Sequence, residues 1–188
     1  VASSGLQTNG FTLVRDIFGK GFRPEFVESS AMYYDEYDLV RRANECWEVN
    51  GIAHITGGGL TRLCRIISEY QDIVITQSHS LEVPDIFREL SRRGVSDDRM
   101  YRHFNCGIGL IFFINPMYAD EYLKYLRTKR FAADIIGSVG SGSGRVIISS
   151  TFSGTTCIFT KCFIYPFAWQ GDVLINVNTF LDDRQKVC

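Results

Sequence analysis

Apolar positions along the chain fall into two alternating textures. Short runs rich in β-branched or aromatic residues occupy 51–55, 72–76, 106–114, 133–139 and 145–149, and their lengths predict β-strands. Between them apolar residues recur at helical spacing, as at Tyr37, Val40, Ala43 and Trp47 within 33–47. Helices are predicted over 11–18, 33–47, 60–67, 84–93, 97–104 and 118–127. Thr8 or Asn9 is placed to cap the first helix, and Gly19 with Gly21 closes it. Pro84 suits a first helical turn, Gly94 ends that helix, and Ser96-Asp97-Asp98 caps the next. Strands alternating with helices imply an α/β fold, a layered sandwich whose mixed sheet is covered by helices.

The pattern changes near Ser149. Between Arg145 and Asp182 the only charged residues are Lys161 and Asp172, and three of the six cysteines lie in this tail. On that basis the chain divides into a unit over 1–149 and an atypical aromatic and cysteine-containing tail over 150–188. The tail reads either as a hairpin added to the main domain or as a grafted foreign segment.

Composition narrows the function classes. A length of 188 residues with 45% hydrophobic content supplies the core of one good-sized domain. A formal net charge of -1 argues against nucleic acid as a partner, because no basic excess is available to neutralise phosphates. Arg41-Arg42 and Arg92-Arg93 stand among acidic residues and read as solvated helix faces. The six cysteines make no CxxC pair and no ligand cluster with the three histidines, so no metal site is expected on this chain. Scattered thiols suit a reducing compartment, the cytoplasm or an organelle matrix, and the cytoplasm is the expectation. No apolar run approaches the roughly 20 residues of a membrane helix. Val1 is not a start methionine, and further sequence upstream is expected.

Three loops carry the candidate chemistry. In Ala53-His54-Ile55-Thr56-Gly57-Gly58-Gly59-Leu60 an apolar strand runs into a histidine, a threonine and three glycines, followed by helix-like sequence. Glycines remove every β-carbon from such a turn, so a ligand can approach the backbone. A helix start also presents unpaired N–H groups, which suit phosphate. An ordinary glycine-rich connection with a structural histidine reads equally well. The second loop, Ser4-Gly5-Leu6-Gln7-Thr8-Asn9-Gly10, offers amide and hydroxyl groups that suit a phosphate, a ribose or an amide, or simply cap a helix. In the third, Met100 to Gly109, Asn105 and Gly107 fall at a helix-to-strand junction where an amide fixes backbone geometry. No GxSxG, HExxH or Walker-type sequence occurs, His79 has no partner at catalytic spacing, and His103, near a helix end, reads as a solvated cap.

In order and spacing, Ser3 to Arg15, Gly51 to Gly59 and Met100 to Gly109 resemble one family, the carboxy-terminal domain of aminoimidazole ribonucleotide synthetase, or phosphoribosylformylglycinamidine cyclo-ligase. Val83-Pro84-Asp85-Ile86-Phe87 and Ile135-Ile136-Gly137-Ser138-Val139 fit it too, and the resemblance covers about 1–149. It implies a step of purine synthesis in which ATP phosphorylates the formyl oxygen of formylglycinamidine ribonucleotide, a nitrogen closes the imidazole ring, and phosphate leaves. It further implies that an amino-terminal domain, absent from this chain, holds ATP and Mg2+ and forms a homodimer. The domain present here would close the other side of the cleft. By that resemblance His54 is the catalytic candidate, for polarisation or proton transfer. Thr56, Gly57, Gly58 and Gly59 become a phosphate cradle, and Ser4, Gln7, Asn9 and Gly10 line the substrate side. Two departures stand out. Gln7 occupies a position where the family usually has histidine, and 21–43 is short, with Met32-Tyr33-Tyr34 near the place of a Pro-Thr-Arg-Ile-Tyr-like run. The competing expectation is a degenerate, non-catalytic phosphate-binding or scaffold module of the same fold.

Overall fold

The computed structural model describes residues 1–3, 5–6, 10–21, 46–76, 80–161 and 185–187. In chain order they form α1 (Phe11–Phe18), a single 3-10 turn (Gly19–Gly21), β1 (Val49–His54), a longer 3-10 helix (Gly59–Arg65) and β2 (Gln71–Ile75). There follow α2 (Asp85–Arg92), α3 (Asp97–His103), β3 (Leu110–Ile114), α4 (Ala119–Thr128), β4 (Gly137–Ser141), β5 (Arg145–Ser149), β6 (Thr156–Thr160) and β7 (Gln185–Val187). The strands make one seven-stranded sheet in the order β1-β3-β7-β4-β2-β5-β6. It is mixed: β2 and β5 run parallel, and the other neighbours run antiparallel.

β3 explains why helices cover both faces. All five of its residues are buried, and a strand sends alternate side chains to opposite faces. Ile111 and Phe113 join a core with Val14 and Phe18 of α1, Phe87 of α2 and Met100 of α3. Leu110, Phe112 and Ile114 meet Tyr122, Leu123 and Leu126 of α4 instead, with the Phe112 ring 5.2 Å from Tyr122. A strand buried on both faces needs an unbroken apolar run, and Leu-Ile-Phe-Phe-Ile is one.

Between β4 and β5 the chain crosses the start of β2 in three residues. Gly142 N–H donates to the Tyr70 carbonyl and Gly144 N–H to the Gln71 carbonyl, each at 2.8 Å. The buried Asp72 carboxylate fastens this crossing. Oδ1 accepts from the backbone N–H groups of Ser143 and Arg145, both at 2.8 Å. Oδ2 accepts from Arg145 Nε at 3.0 Å and Nη2 at 2.6 Å.

Several boundaries differ from expectation, each for a local reason. The cap position of α1 belongs to Gly10, at φ 85°, and neither Thr8 nor Asn9 lies among the described residues. Pro84 precedes α2 as its cap residue, with extended ψ of 141°. The expected helix over 60–67 is the 3-10 helix Gly59–Arg65, closed by Ile66 N–H donating to the Leu63 carbonyl. The strand expected from 106 begins at Leu110, because Cys106 and Gly107 turn with φ of 50° and 98°. That expected over 133–139 is β4, starting only at Gly137. Before it, Asp134 Oδ1 takes the Ile135 N–H and Oδ2 the Ser80 N–H, which holds the chain out of the ladder. The helix expected over 33–47 lies outside the described residues apart from its end. Past Ser149 the chain returns to the sheet: β6 pairs with β5, and β7 lies between β3 and β4.

Candidate functional site

β1 delivers the glycine turn over 56–59. His54, its last residue, is exposed and pairs in register with Leu110 of β3. Ile55 is fully buried and its N–H donates to the Gly109 carbonyl at 2.8 Å, so the chain leaves the strand with His54 outward and Ile55 inward. The turn then closes through Gly59 N–H to the Thr56 carbonyl at 3.1 Å and Thr61 Oγ1 to the Gly58 carbonyl at 2.6 Å.

The three glycines do different work. Gly58 and Gly59 both have positive φ, 86° and 54°, a backbone that side chains rarely adopt. Gly59 is buried, and a β-carbon on it would strike the Tyr101 carbonyl oxygen and stand 2.7 Å from that of Phe104. Its bareness serves close packing on α3. Gly58 is exposed and Gly57 half-buried, so the first two glycines keep an outward surface beside His54.

The amino-terminal loop reaches the same place through Gly10, Ser3 and Gly5. Gly10 packs under the Phe104 ring, which occupies the space a β-carbon would need. Ser3 Oγ donates to Asn105 Oδ1 at 2.7 Å, and Asn105 Nδ2 donates to the Gly5 carbonyl at 2.9 Å. Asn105 Oδ1 also accepts the Gly107 N–H at 3.0 Å. Ser4, Gln7 and Asn9 lie outside the described residues, as does His79. The amino-terminal loop and the glycine turn therefore both pack on the third loop, at 101–107, through Asn105, the Phe104 ring, and the carbonyls of Tyr101 and Phe104.

Asn105 is 3% exposed, and its amide has no substitute partner in water. Asn105→Ala strands the Gly107 N–H and leaves the Ser3 hydroxyl and the Gly5 carbonyl with only their mutual bond at 3.1 Å. A loss of about 2–3 kcal/mol is expected, measured as a lowered urea midpoint.

One polar side chain of the site gave no warning in the sequence. Arg62 Nη1 donates to Thr56 Oγ1 at 3.1 Å. Helical side chains lean toward the amino terminus of their helix, so a long residue one turn in folds back over the preceding loop.

Burial pushes Cys106 well above the ordinary thiol range and raises Cys64 and Cys157 as well, which keeps them protonated. His103 is exposed at the end of α3, with its pKa lowered by partial desolvation and by Arg99 and Arg102. Among the described residues no group of His, Cys, Asp and Glu gathers to hold a metal, and no helix is long and apolar enough to cross a membrane. A small recess behind the turn is lined by Leu60, Thr76, Tyr101, Cys106, Ser149 and Thr151 among others, and includes neither His54 nor the outward glycines.

Residues 1–149 match the family described as AIR synthase related protein, C-terminal domain. Among curated relatives, the phosphoribosylformylglycinamidine cyclo-ligase of Clostridium perfringens (strain 13 / Type A) is 32% identical over 157 residues, covering 79% of this chain and 46% of the relative. That of Carboxydothermus hydrogenoformans is 34% identical over 167 residues, covering 79% and 47%. That of Clostridium tetani is 31% identical over 158 residues, covering 79% and 46%. The chain spans about half the length of the curated relatives it matches. With residues 1–149 of its 188 inside the family match, the chain belongs to the AIR synthase related proteins, whose C-terminal domain it carries.

Proposed function

We propose that this chain is the cleft-closing half of an ATP-dependent cyclo-ligase of purine synthesis, which converts formylglycinamidine ribonucleotide to aminoimidazole ribonucleotide. Its partner is an amino-terminal nucleotide-binding half that also forms a homodimer, and the complete enzyme works in the cytoplasm. The unit over 1–149 performs this role and 150–188 is an addition to it. One observation carries the reading: three loops distant in sequence meet at 101–107 while His54, Gly57 and Gly58 stay outward.

In this reading the outward part of Thr56-Gly57-Gly58-Gly59 receives the phosphorylated end of the substrate, with Gly59 anchoring it to α3. Ser4, Gln7, Asn9 and Gly10 line the substrate side, and Gln7 contributes hydrogen bonds without charge. ATP supplies the phosphoryl group that activates the formyl oxygen. His54 stabilises charge at that oxygen or moves a proton as the ring nitrogen attacks; an imidazole near neutral pH does either. The described residues offer no ligand set for Mg2+, so that ion is assigned to the nucleotide-binding half and no step is routed through it here.

The test uses ADP release with ATP and formylglycinamidine ribonucleotide. The chain alone is expected to give none. Supplied with the amino-terminal half of a related cyclo-ligase it is expected to turn over, and His54→Ala then lowers kcat by about 10²-fold or more. Unchanged turnover in that variant removes the catalytic role. No turnover in the assembled protein favours the scaffold module instead.

A further inference from the structure

Among the described residues, Arg62 has its head drawn to the glycine turn. Its Cγ and Cδ lie 3.1 and 3.6 Å from where a β-carbon on Gly58 would sit, and its Nη1 donates to Thr56. The side chain is half-buried. Arg92, Arg93, Arg102, Arg127 and Arg145 each meet a carboxylate, whereas among the described residues no carboxylate lies within ion-pair distance of Arg62. A partly desolvated cation held beside a hydroxyl and bare backbone gains most from an anion. A guanidinium is planar and forked, and matches two oxygens of a phosphate at once.

We propose that Arg62 reads the phosphate group at this turn, with Thr56 Oγ1 aiming its guanidinium and the backbone of Gly57 and Gly58 completing the contact. This rests on the reading of the turn as the grip for the phosphorylated end, and it makes the ligand class a phosphate monoester recognised by charge and fork geometry. The turn alone does not account for such selectivity. Its helix is a short 3-10 segment, and the Gly59 N–H is already given to Thr56.

The experiment is a titration of the isotope-labelled 188-residue chain with inorganic phosphate, followed at the Gly57 and Gly58 amides. Saturable shifts are expected. R62Q weakens the affinity about tenfold or more, and R62K, which keeps charge and loses the fork, falls between the two. T56V, which keeps the charge and removes its anchor, also weakens binding. If R62Q binds phosphate as tightly as the unaltered chain with the same amide response, Arg62 is not the reader and the turn remains one. If the unaltered chain shows no response at Gly57 and Gly58, the grip itself is wrong and this inference goes with it. Should R62Q lose its folded spectrum, R62K decides: an affinity equal to the unaltered chain overturns the fork.

Discussion

Gly59→Ala is expected to destabilise the protein by about 3–4 kcal/mol, while the same change at Gly58 costs about 1 kcal/mol. Both positions have positive φ, so the backbone penalty of a β-carbon is common to them. They differ in what the new atom meets. At Gly58 it touches the Arg62 Cγ at 3.1 Å, the flexible part of a long side chain that can swing aside. At Gly59 it strikes the Tyr101 carbonyl and crowds that of Phe104, both backbone, where α3 ends. Relief would require the turn to lift off α3, and Leu60 and Leu63 are fully buried behind it. Urea unfolding of the two variants checks the contrast; equal losses would mean that the packing of Gly59 on α3 is wrong.

Asp72→Ala is expected to cost about 3 kcal/mol and to flatten the acid limb of the stability curve. The carboxylate is 6% exposed and is the shared acceptor for the chain crossing over β2. Without it, two backbone N–H groups lose their acceptor and the Arg145 head its counter-charge. Hydrogen bonds from the Arg145 guanidinium, outweighing desolvation and helped by the backbone N–H groups of Ser143 and Arg145, hold the Asp72 carboxyl at about 2. Its folded value lies below its unfolded one, so the group stabilises above the unfolded value. That contribution is lost as pH falls from about 4 through about 2. It amounts to about 2 kcal/mol, discounted somewhat because Arg145 is 42% exposed in its side chain. Urea midpoints between pH 5 and pH 2 check this. The variant should show a shallower decline; parallel curves would mean that Asp72 does not carry it.

Periodicity made the sheet and helix layers legible, because β3 and α4 bury continuous or helically spaced apolar sets. It was weaker where polar side chains redirect the backbone. Asp134 holds its neighbours off the sheet and shortens β4, and Asn105 does the same ahead of β3. An apolar run gives no hint of either bond. Helix-like sequence over 60–67 did not distinguish 3-10 from α, since both bury residues three apart, as at Leu60 and Leu63. In the candidate site, glycine content marked the turn without dividing it into a packed glycine and two outward ones. That division depends on α3, some 40 residues later in the chain, and a local window cannot see it. Arg62 escaped notice for a related reason: only the folded turn reveals that its head returns to Thr56.

The central claim is that the outward glycines beside His54 hold the phosphorylated end of a purine precursor. It is tested most directly by comparing formylglycinamidine ribonucleotide with its dephosphorylated riboside in titrations of the labelled chain. The ribonucleotide should shift the Gly57 and Gly58 amides in a saturable way while the riboside leaves them unmoved. Equal shifts from both compounds, or shifts confined to residues away from the turn, would contradict it.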